Sequence, residues 1–238
     1  MCAQPNIAST AFLIADPARA TMLMALIEGR ALPAGELAYA AGITAQTAST
    51  HLAKLLAGGL VAVEAEGRHR YYRLSNSHVA HVIENLASIT PVERPRTKPL
   101  GAEAQKLRFA RCCYDHLAGQ LGVAMTQALE QRGVIVATKD KQFEVTPDGI
   151  AWFGRMGLNV PELQATRRGL ARQCLDWSER QHHLAGPLGV QWMNLLCTSG
   201  WLRREKATRA VQVTPQGWAW MKEQLGIEGR LGELVLAA

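Results

Sequence analysis

Apolar positions recur with helical spacing through the opening of the chain, and the spacing then shortens to alternation. Ser9–Ile14 and Pro17–Glu28 read as two helices broken at Asp16-Pro17, with Asp16 as cap and Pro17 at the first helical position. Leu23, Leu26 and Ile27 share one face of the second. Pro33 precedes a short helix, Ala34–Ala41, which Gly42 ends because it tolerates positive φ. Thr44 caps the next helix, about Ala45–Ala57, whose Leu52, Leu55 and Leu56 face inward until Gly58-Gly59 stops it. Leu60-Val61-Ala62-Val63 then alternates into a strand, Glu66-Gly67 turns, and Arg70–Leu74 returns as its partner. A further helix, about Ser77–Ile89, presents Val79, Val82, Ile83 and Leu86. Helix, tight turn, helix and basic hairpin together form a winged helix-turn-helix, an arrangement suited to placing one helix in a DNA major groove.

Pro91, Pro95 and Pro99, interleaved with Arg94, Arg96 and Lys98, mark residues 91–102 as a linker. An internal repeat follows. Arg111-Cys112-Cys113-Tyr114-Asp115 is echoed by Arg172-Gln173-Cys174-Leu175-Asp176, and His116–Val123 by His183–Val190 after an insertion, Trp177–His182. Val145-Thr146-Pro147-Asp148-Gly149 returns as Val213-Thr214-Pro215-Gln216-Gly217. Each copy, about 103–160 and 164–230, reads as a helix, a glycine stop (Gly133, Gly200), a short hairpin and a Thr-Pro-x-Gly helix start. The fold expected is mainly α with short β-hairpins. A winged helix-turn-helix over 1–90 precedes a mostly helical, degenerate winged-helix-like dimerisation and effector domain over 103–238.

The net charge of +6 favours a polyanionic partner, but residues 1–95 carry seven basic and seven acidic side chains. The local balance matters more. Within 44–73 only Glu64 and Glu66 oppose Lys54, Arg68, Arg70 and Arg73, enough for phosphate contacts of modest affinity. Five cysteines in 238 residues fit reduced thiols better than a secreted disulfide framework. No apolar run approaches a membrane span and no leader is evident, so the cytoplasm is expected. Neither a glycine-rich phosphate loop nor a nucleophile elbow is present, which argues against an enzyme.

On the solvent side of the 45–57 helix stand Gln46, Thr47, Ser49, Thr50, His51 and Lys54. These hydrogen-bonding side chains without carboxylates suit base edges and phosphates; Gln46 matches adenine and the threonines a thymine methyl. Lys54 and the wing residues Arg68, His69 and Arg70 suit phosphate or minor-groove contact. The neutral balance of the module leaves one competitor, a protein-interaction module on a winged-helix scaffold that binds no DNA.

Glu36-Leu37, the Thr44-Ala-Gln-Thr-Ala-Ser-Thr-His-Leu-Ala-Lys-Leu55 helix, Gly59-Leu60-Val61 and Gly67-Arg68-His69-Arg70-Tyr71-Tyr72-Arg73-Leu74 resemble the ArsR (ArsR/SmtB) bacterial repressors over about residues 8–90. The resemblance implies a homodimer on a two-fold symmetric double-stranded operator, paired through the first and last helices of the module and released by an inducer. Two family metal sites are not intact. Ala38-Tyr39-Ala40 follows Glu36-Leu37 where metal-sensing members carry cysteines, and the last helix offers Asn76, His78 and His81 without the acidic ligand.

The repeats supply the remaining candidates. Cys113 and His116 in one copy, and Cys174 and His183 in the other, are zinc-type ligands able to meet across a pseudo-two-fold axis. Their alternative is a redox sensor, with Arg111 or Arg172 lowering a thiol pKa, or simple burial. The Cys–Asp–His clusters suggest thiol catalysis, but adjacent residues in a helix do not face one another, which argues against it. No cofactor other than a metal there is indicated. All six tryptophans fall after the linker, where they either form core or line a small-molecule inducer pocket.

Overall fold

The computed structural model describes residues 6–27, 29, 31–66, 69–91, 102–206, 208–230 and 233–236. Contacts divide the chain into two units, Met1–Leu86 and Ala87–Ala238. Cys2, the wing tip Gly67-Arg68 and positions 92–101 of the expected linker lie outside the described residues.

The first unit runs α1 (Ile7–Ile14), α2 (Pro17–Leu26), β1 (Leu32–Pro33), α3 (Ala34–Ala41), α4 (Ala45–Ala57), β2 (Val61–Glu66), β3 (His69–Leu74) and most of α5 (Ser77–Ile89), within which the division falls. Local chemistry sets its boundaries. The Asp16 carboxylate accepts the Arg19 N–H at 3.0 Å, with Pro17 at the first position of α2. Gly42, at φ 66°, closes α3 in a conformation costly for any side chain, and the Thr44 hydroxyl caps α4 by accepting the Thr47 N–H at 3.2 Å. Leu23 and Leu26 of α2, Leu37 of α3 and Leu52 and Leu55 of α4 are fully buried, so the three helices share one core. The wing is an antiparallel sheet in the order β1-β3-β2, with Val61 opposite Leu74, Val63 opposite Tyr72 and Leu32 also opposite Tyr72. Arg19 fastens α1 to this core. Its buried guanidinium donates to the carbonyls of Phe12 (2.8 Å) and Leu13 (2.5 Å), which end α1.

The second unit begins with α6 (Ala102–Phe109) and then repeats one pattern twice. The first copy is β4 (Arg111–Cys113), β5 (His116–Ala118), α7 (Gly119–Gln131), β6 (Ile135–Ala137), β7 (Phe143–Val145) and α8 (Pro147–Arg155). After a 3₁₀ turn at Val160–Glu162, the second is β8 (Arg172–Leu175), β9 (His182–Ala185), α9 (Gly186–Thr198), β10 (Leu202–Arg204), β11 (Val211–Val213) and α10 (Pro215–Leu225). A last hairpin, β12 (Ile227–Arg230) and β13 (Glu233–Leu236), follows. The α7–β6–β7–α8 and α9–β10–β11–α10 segments have the helix, glycine, hairpin, helix order read from the sequence.

One local expectation is corrected. The Cys–Asp–His clusters lie on β-hairpins, not helices, so Cys113 stands directly across from His116 and Cys174 from His183. Helical neighbours diverge, whereas cross-strand partners bring Cβ atoms to about 5 Å.

The two copies interlock reciprocally. The Cys112 N–H donates to the Arg209 carbonyl at 2.8 Å, and at the matching place the Gln173 N–H donates to the Lys141 carbonyl at 2.9 Å. The leading hairpin of each repeat thereby pairs with the trailing hairpin of the other, through the bridges Arg111–Ala210 and Gln142–Arg172. Gly119 and Gly186 make the turn from hairpin to helix at φ 81° and 79°. A Cβ there would come within 2.6 Å of the Arg108 carbonyl and 2.8 Å of the Leu170 carbonyl, which accounts for the repeated Ala-Gly. Beneath lies a core in which Trp192 packs against Trp152, Phe153 and Trp220, and Trp220 stacks on Trp201 at 4.2 Å. Four of the six tryptophans thus join this packed aromatic cluster rather than line a pocket. A shallow cleft of about 430 Å³ near Ile150, Leu158 and Val160 has no tryptophan in its wall.

Candidate nucleic-acid interface

Burying Ala48, Leu52 and Leu55 forces the opposite face of α4 outward, and that face carries Gln46, Thr47, Ser49, Thr50 and Lys54, all exposed. Three of the hydroxyls are held locally. The Ser49 hydroxyl donates to the Ala45 carbonyl at 3.0 Å, that of Thr50 to the Gln46 carbonyl at 3.3 Å, and Thr47 Oγ1 lies 2.9 Å from Thr44 Oγ1. Each keeps acceptor capacity toward solvent. The face bears no carboxylate, so nothing repels a phosphate backbone.

His51 is placed differently from the row it was expected to join. It is half-buried, with Nδ1 3.4 Å from Arg19 Nη1 and 3.7 Å from the Asp16 carboxylate. The ring therefore ties α4 to the start of α2. Arg19, which sequence inspection passed over, is the hub of this contact. Its one legible signal was a basic residue inside the apolar stretch Pro17–Ile27.

In the wing, Arg70 is exposed and its guanidinium lies 6.0 Å from the Tyr72 ring centroid. His69 is the first residue of β3, opposite Glu66, while Arg68 lies outside the described residues. Arg73, counted in the basic balance, is paired with Glu64 across the hairpin, so neither contributes net charge to the face.

The residues singled out in the repeats are brought together. One ligand atom from each of Cys113, His116, Cys174 and His183 falls within a group whose members are all within 4.8 Å of one another. His116 Nε2 and His183 Nε2 are 3.2 Å apart. Both rings and Cys113 are buried, and Cys174 is half-buried. Each ring has a carboxylate behind it. Asp115 Oδ1 is 2.8 Å from His116 Nδ1, and Asp176 Oδ2 is 3.7 Å from His183 Nδ1.

Electrostatics divide the pair. Burial alone would lower both histidines, but hydrogen bonds to Asp115 and Cys113 carry His116 up to about 9. Burial and the neighbouring His116 hold His183 below its ordinary value. Asp176 is also buried, which opposes ionisation, yet the Arg111 guanidinium at 2.8 Å and the Gly119 N–H at 2.8 Å keep its carboxyl far below the usual range. Arg111 thus pairs with Asp176 in the other repeat. It sits over the Trp177 ring at 4.8 Å.

An exposed carboxylate-free helix beside a basic hairpin, carried by a winged helix-turn-helix, defines a DNA-binding module. The comparisons place it in a family. The family model described as "Helix-turn-helix domain" matches residues 14–64. The HTH-type transcriptional regulator YdfF of Bacillus subtilis (strain 168) is 45% identical over 224 residues, covering 94% of this chain and 99% of that protein. The HTH-type transcriptional regulator CmtR of Mycobacterium tuberculosis (strain ATCC 25618 / H37Rv) is 40% identical over 76 residues, 32% of this chain and 64% of CmtR. The solved NMR structure of the cadmium metal-sensor CMTR from Mycobacterium tuberculosis is 33% identical, covers 40% of this chain and 98% of that one, and superposes with a TM-score of 0.32. The chain belongs to the HTH-type transcriptional regulators, and the ArsR resemblance is consistent with these relatives. It is a DNA-binding transcriptional regulator.

Proposed function

We propose that the chain is a homodimeric repressor whose α4 reads an operator half-site while the wing holds the adjoining backbone. The observation that carries this reading is the exposed row Gln46, Thr47, Ser49, Thr50 and Lys54 beside Arg70. Gln46 is the adenine reader, Thr47 and Thr50 touch thymine methyls, and Ser49, Lys54, Arg70, His69 and Arg68 serve the phosphates or minor groove. His51 acts chiefly by fixing the angle of α4 on α2. Dimer formation is supported by apolar side chains left outside on the two helices that the family resemblance pairs. Ile7 (76% exposed) and Phe12 stand on α1, and Val82, Leu86 and Ile89 (76%) on α5. A second copy is the occupant that gives two recognition helices one helical turn of DNA, about 34 Å, apart.

Residues 103–238 form the dimerisation and effector domain, joined to the DNA module 1–90 through 91–102. An inducer acting there changes the placement of the paired recognition helices and releases the operator. The chain works by binding rather than by catalysis.

Anisotropy on DNA from upstream of its own gene, titrated with salt, tests the reading. Two chains are expected per site, with affinity falling steeply as salt rises. No binding to promoter or random DNA would overturn it in favour of a protein-interaction module, and equal affinity for both would overturn the sequence reading by α4.

A further inference from the structure

We propose that Cys113, His116, Cys174 and His183 are a four-coordinate binding site for a borderline-soft divalent cation of the zinc type, which cross-links the two repeats of the second unit. The donor set is two sulfurs and two imidazole nitrogens, the combination that favours tetrahedral zinc over the oxygen-loving cations. Spacing agrees with the chemistry. Metal–nitrogen bonds of about 2.0–2.1 Å put two imidazole nitrogens roughly 3.3 Å apart across a tetrahedral angle, and His116 and His183 hold theirs at 3.2 Å. All four donor atoms lie within 4.8 Å of one another.

The surroundings favour a cation. The two Nε2 atoms face one another across 3.2 Å in a buried space, where a bound cation takes the place of the proton between them. Asp115 and Asp176 stand where partners that orient metal-bound histidines stand, behind the ring nitrogen that does not ligate. The Asp176 side of this arrangement is itself braced by Arg111, Ser178 and the Gly119 N–H. His183 Nδ1 is buried without a direct hydrogen bond, 3.7 Å from the Asp176 carboxylate, so a small tilt of the ring is enough to engage it. Two thiolates neutralise the divalent charge, so the occupied site buries no net charge apart from its carboxylate–arginine support. Half-buried Cys174 is the ligand nearest solvent and marks the entry side.

Symmetry gives the site its function. Each hairpin contributes one cysteine and one histidine as a cross-strand pair, β4–β5 from the first repeat and β8–β9 from the second. One ion thus closes the pseudo-two-fold seam between copies that otherwise meet through paired strands and shared core. The site is distinct from positions 38–40 of α3 and from α5, where the resemblance directed attention. It does not depend on the DNA-binding reading.

The test uses the full-length reduced protein, stripped with a chelator and titrated with cobalt(II). The expected result is one equivalent bound per chain, with the ligand-field bands of a tetrahedral ion and sulfur-to-metal charge transfer. Zinc(II) should then displace the cobalt. Charge transfer should weaken in Cys113→Ser and Cys174→Ser but persist in Cys197→Ser. Should the serine variants fold poorly, the wild-type chain supplies a second reading: zinc should slow alkylation of Cys113 and Cys174 and leave the rates at Cys112 and Cys197 unchanged. Octahedral cobalt without charge transfer, no zinc effect on those two thiols, or ready closure of a Cys113–Cys174 disulfide with zinc present would each overturn the proposal.

Discussion

Single buried charges decide more of this molecule than its composition suggests. Arg111 is 1% exposed and its partner Asp176 is as deeply buried, so the pair stands outside water and its worth lies in mutual satisfaction. Asp176→Asn keeps the shape but leaves the guanidinium uncompensated, and should cost about 3–5 kcal/mol in denaturant unfolding. An unchanged midpoint would mean that solvent reaches the pair. Arg19 plays a comparable part in the first unit, where it collects the carbonyls that end α1 and approaches His51. Neither arginine's burial was legible from spacing: Arg111 is specified by Asp176, 65 residues away, and Arg19 by carbonyls at the end of α1 that the turn at Asp16-Pro17 brings back to it. Cys113, His116, Cys174 and His183 were legible as recurring residues. Their meeting was not, since it depends on hairpin register, and a helix at the same positions would have scattered them.

Element boundaries were the most readable layer. Asp16-Pro17, Gly42, Thr44 and Gly58 each act through a local backbone requirement, and the structure starts or stops helices at those places. The Thr-Pro-x-Gly starts of α8 and α10 follow the same logic. The hydroxyls of Thr146 and Thr214 accept the N–H of Gly149 (2.9 Å) and Gly217 (3.0 Å). The glycine has a second reason that sequence does not reveal. A Cβ at Gly217 would lie 2.1 Å from the Trp201 carbonyl, and at Gly149 2.0 Å from that of Val134. Gly217→Ala should therefore destabilise the second unit by at least about 1–3 kcal/mol, the usual cost of overpacking. Thr44→Ala should cost about 1 kcal/mol through the lost cap of α4. Thermal unfolding checks both, and a neutral Gly217→Ala would contradict the close approach.

At the scale of the whole chain, the two-part organisation follows from where the sequence repeats and where it does not. The first unit is a single winged helix with one exposed polar helix. The second is a duplicated ββαββα pattern in which the leading hairpin of each copy bridges to the trailing hairpin of the other, and its first long helix is not a recognition helix. Burial of α7 confirms that point: Leu121, Val123, Ala124, Met125 and Ala128 leave it no polar reading face. The sequence showed the duplication but not the pairing between copies, because strand bridges leave no periodic trace. On the dimer reading, Ile7→Glu and Ile89→Glu should shift the protein to monomers in light scattering and weaken operator binding. Retained dimers in both variants would place the self-association surface elsewhere.

The central claim is that α4 reads sequence while the hairpin holds the backbone, and the two jobs separate under substitution. The decisive measurement is operator affinity for single-base variants across a salt series, with Gln46→Ala and Arg70→Ala beside the wild type. Gln46→Ala should lose about 1–3 kcal/mol of discrimination at one base position in each half-site and keep its salt slope. Arg70→Ala should weaken all sequences alike and lower the slope by about one. If both variants bind every sequence as the wild type does, α4 and the wing are not the DNA-contacting surface.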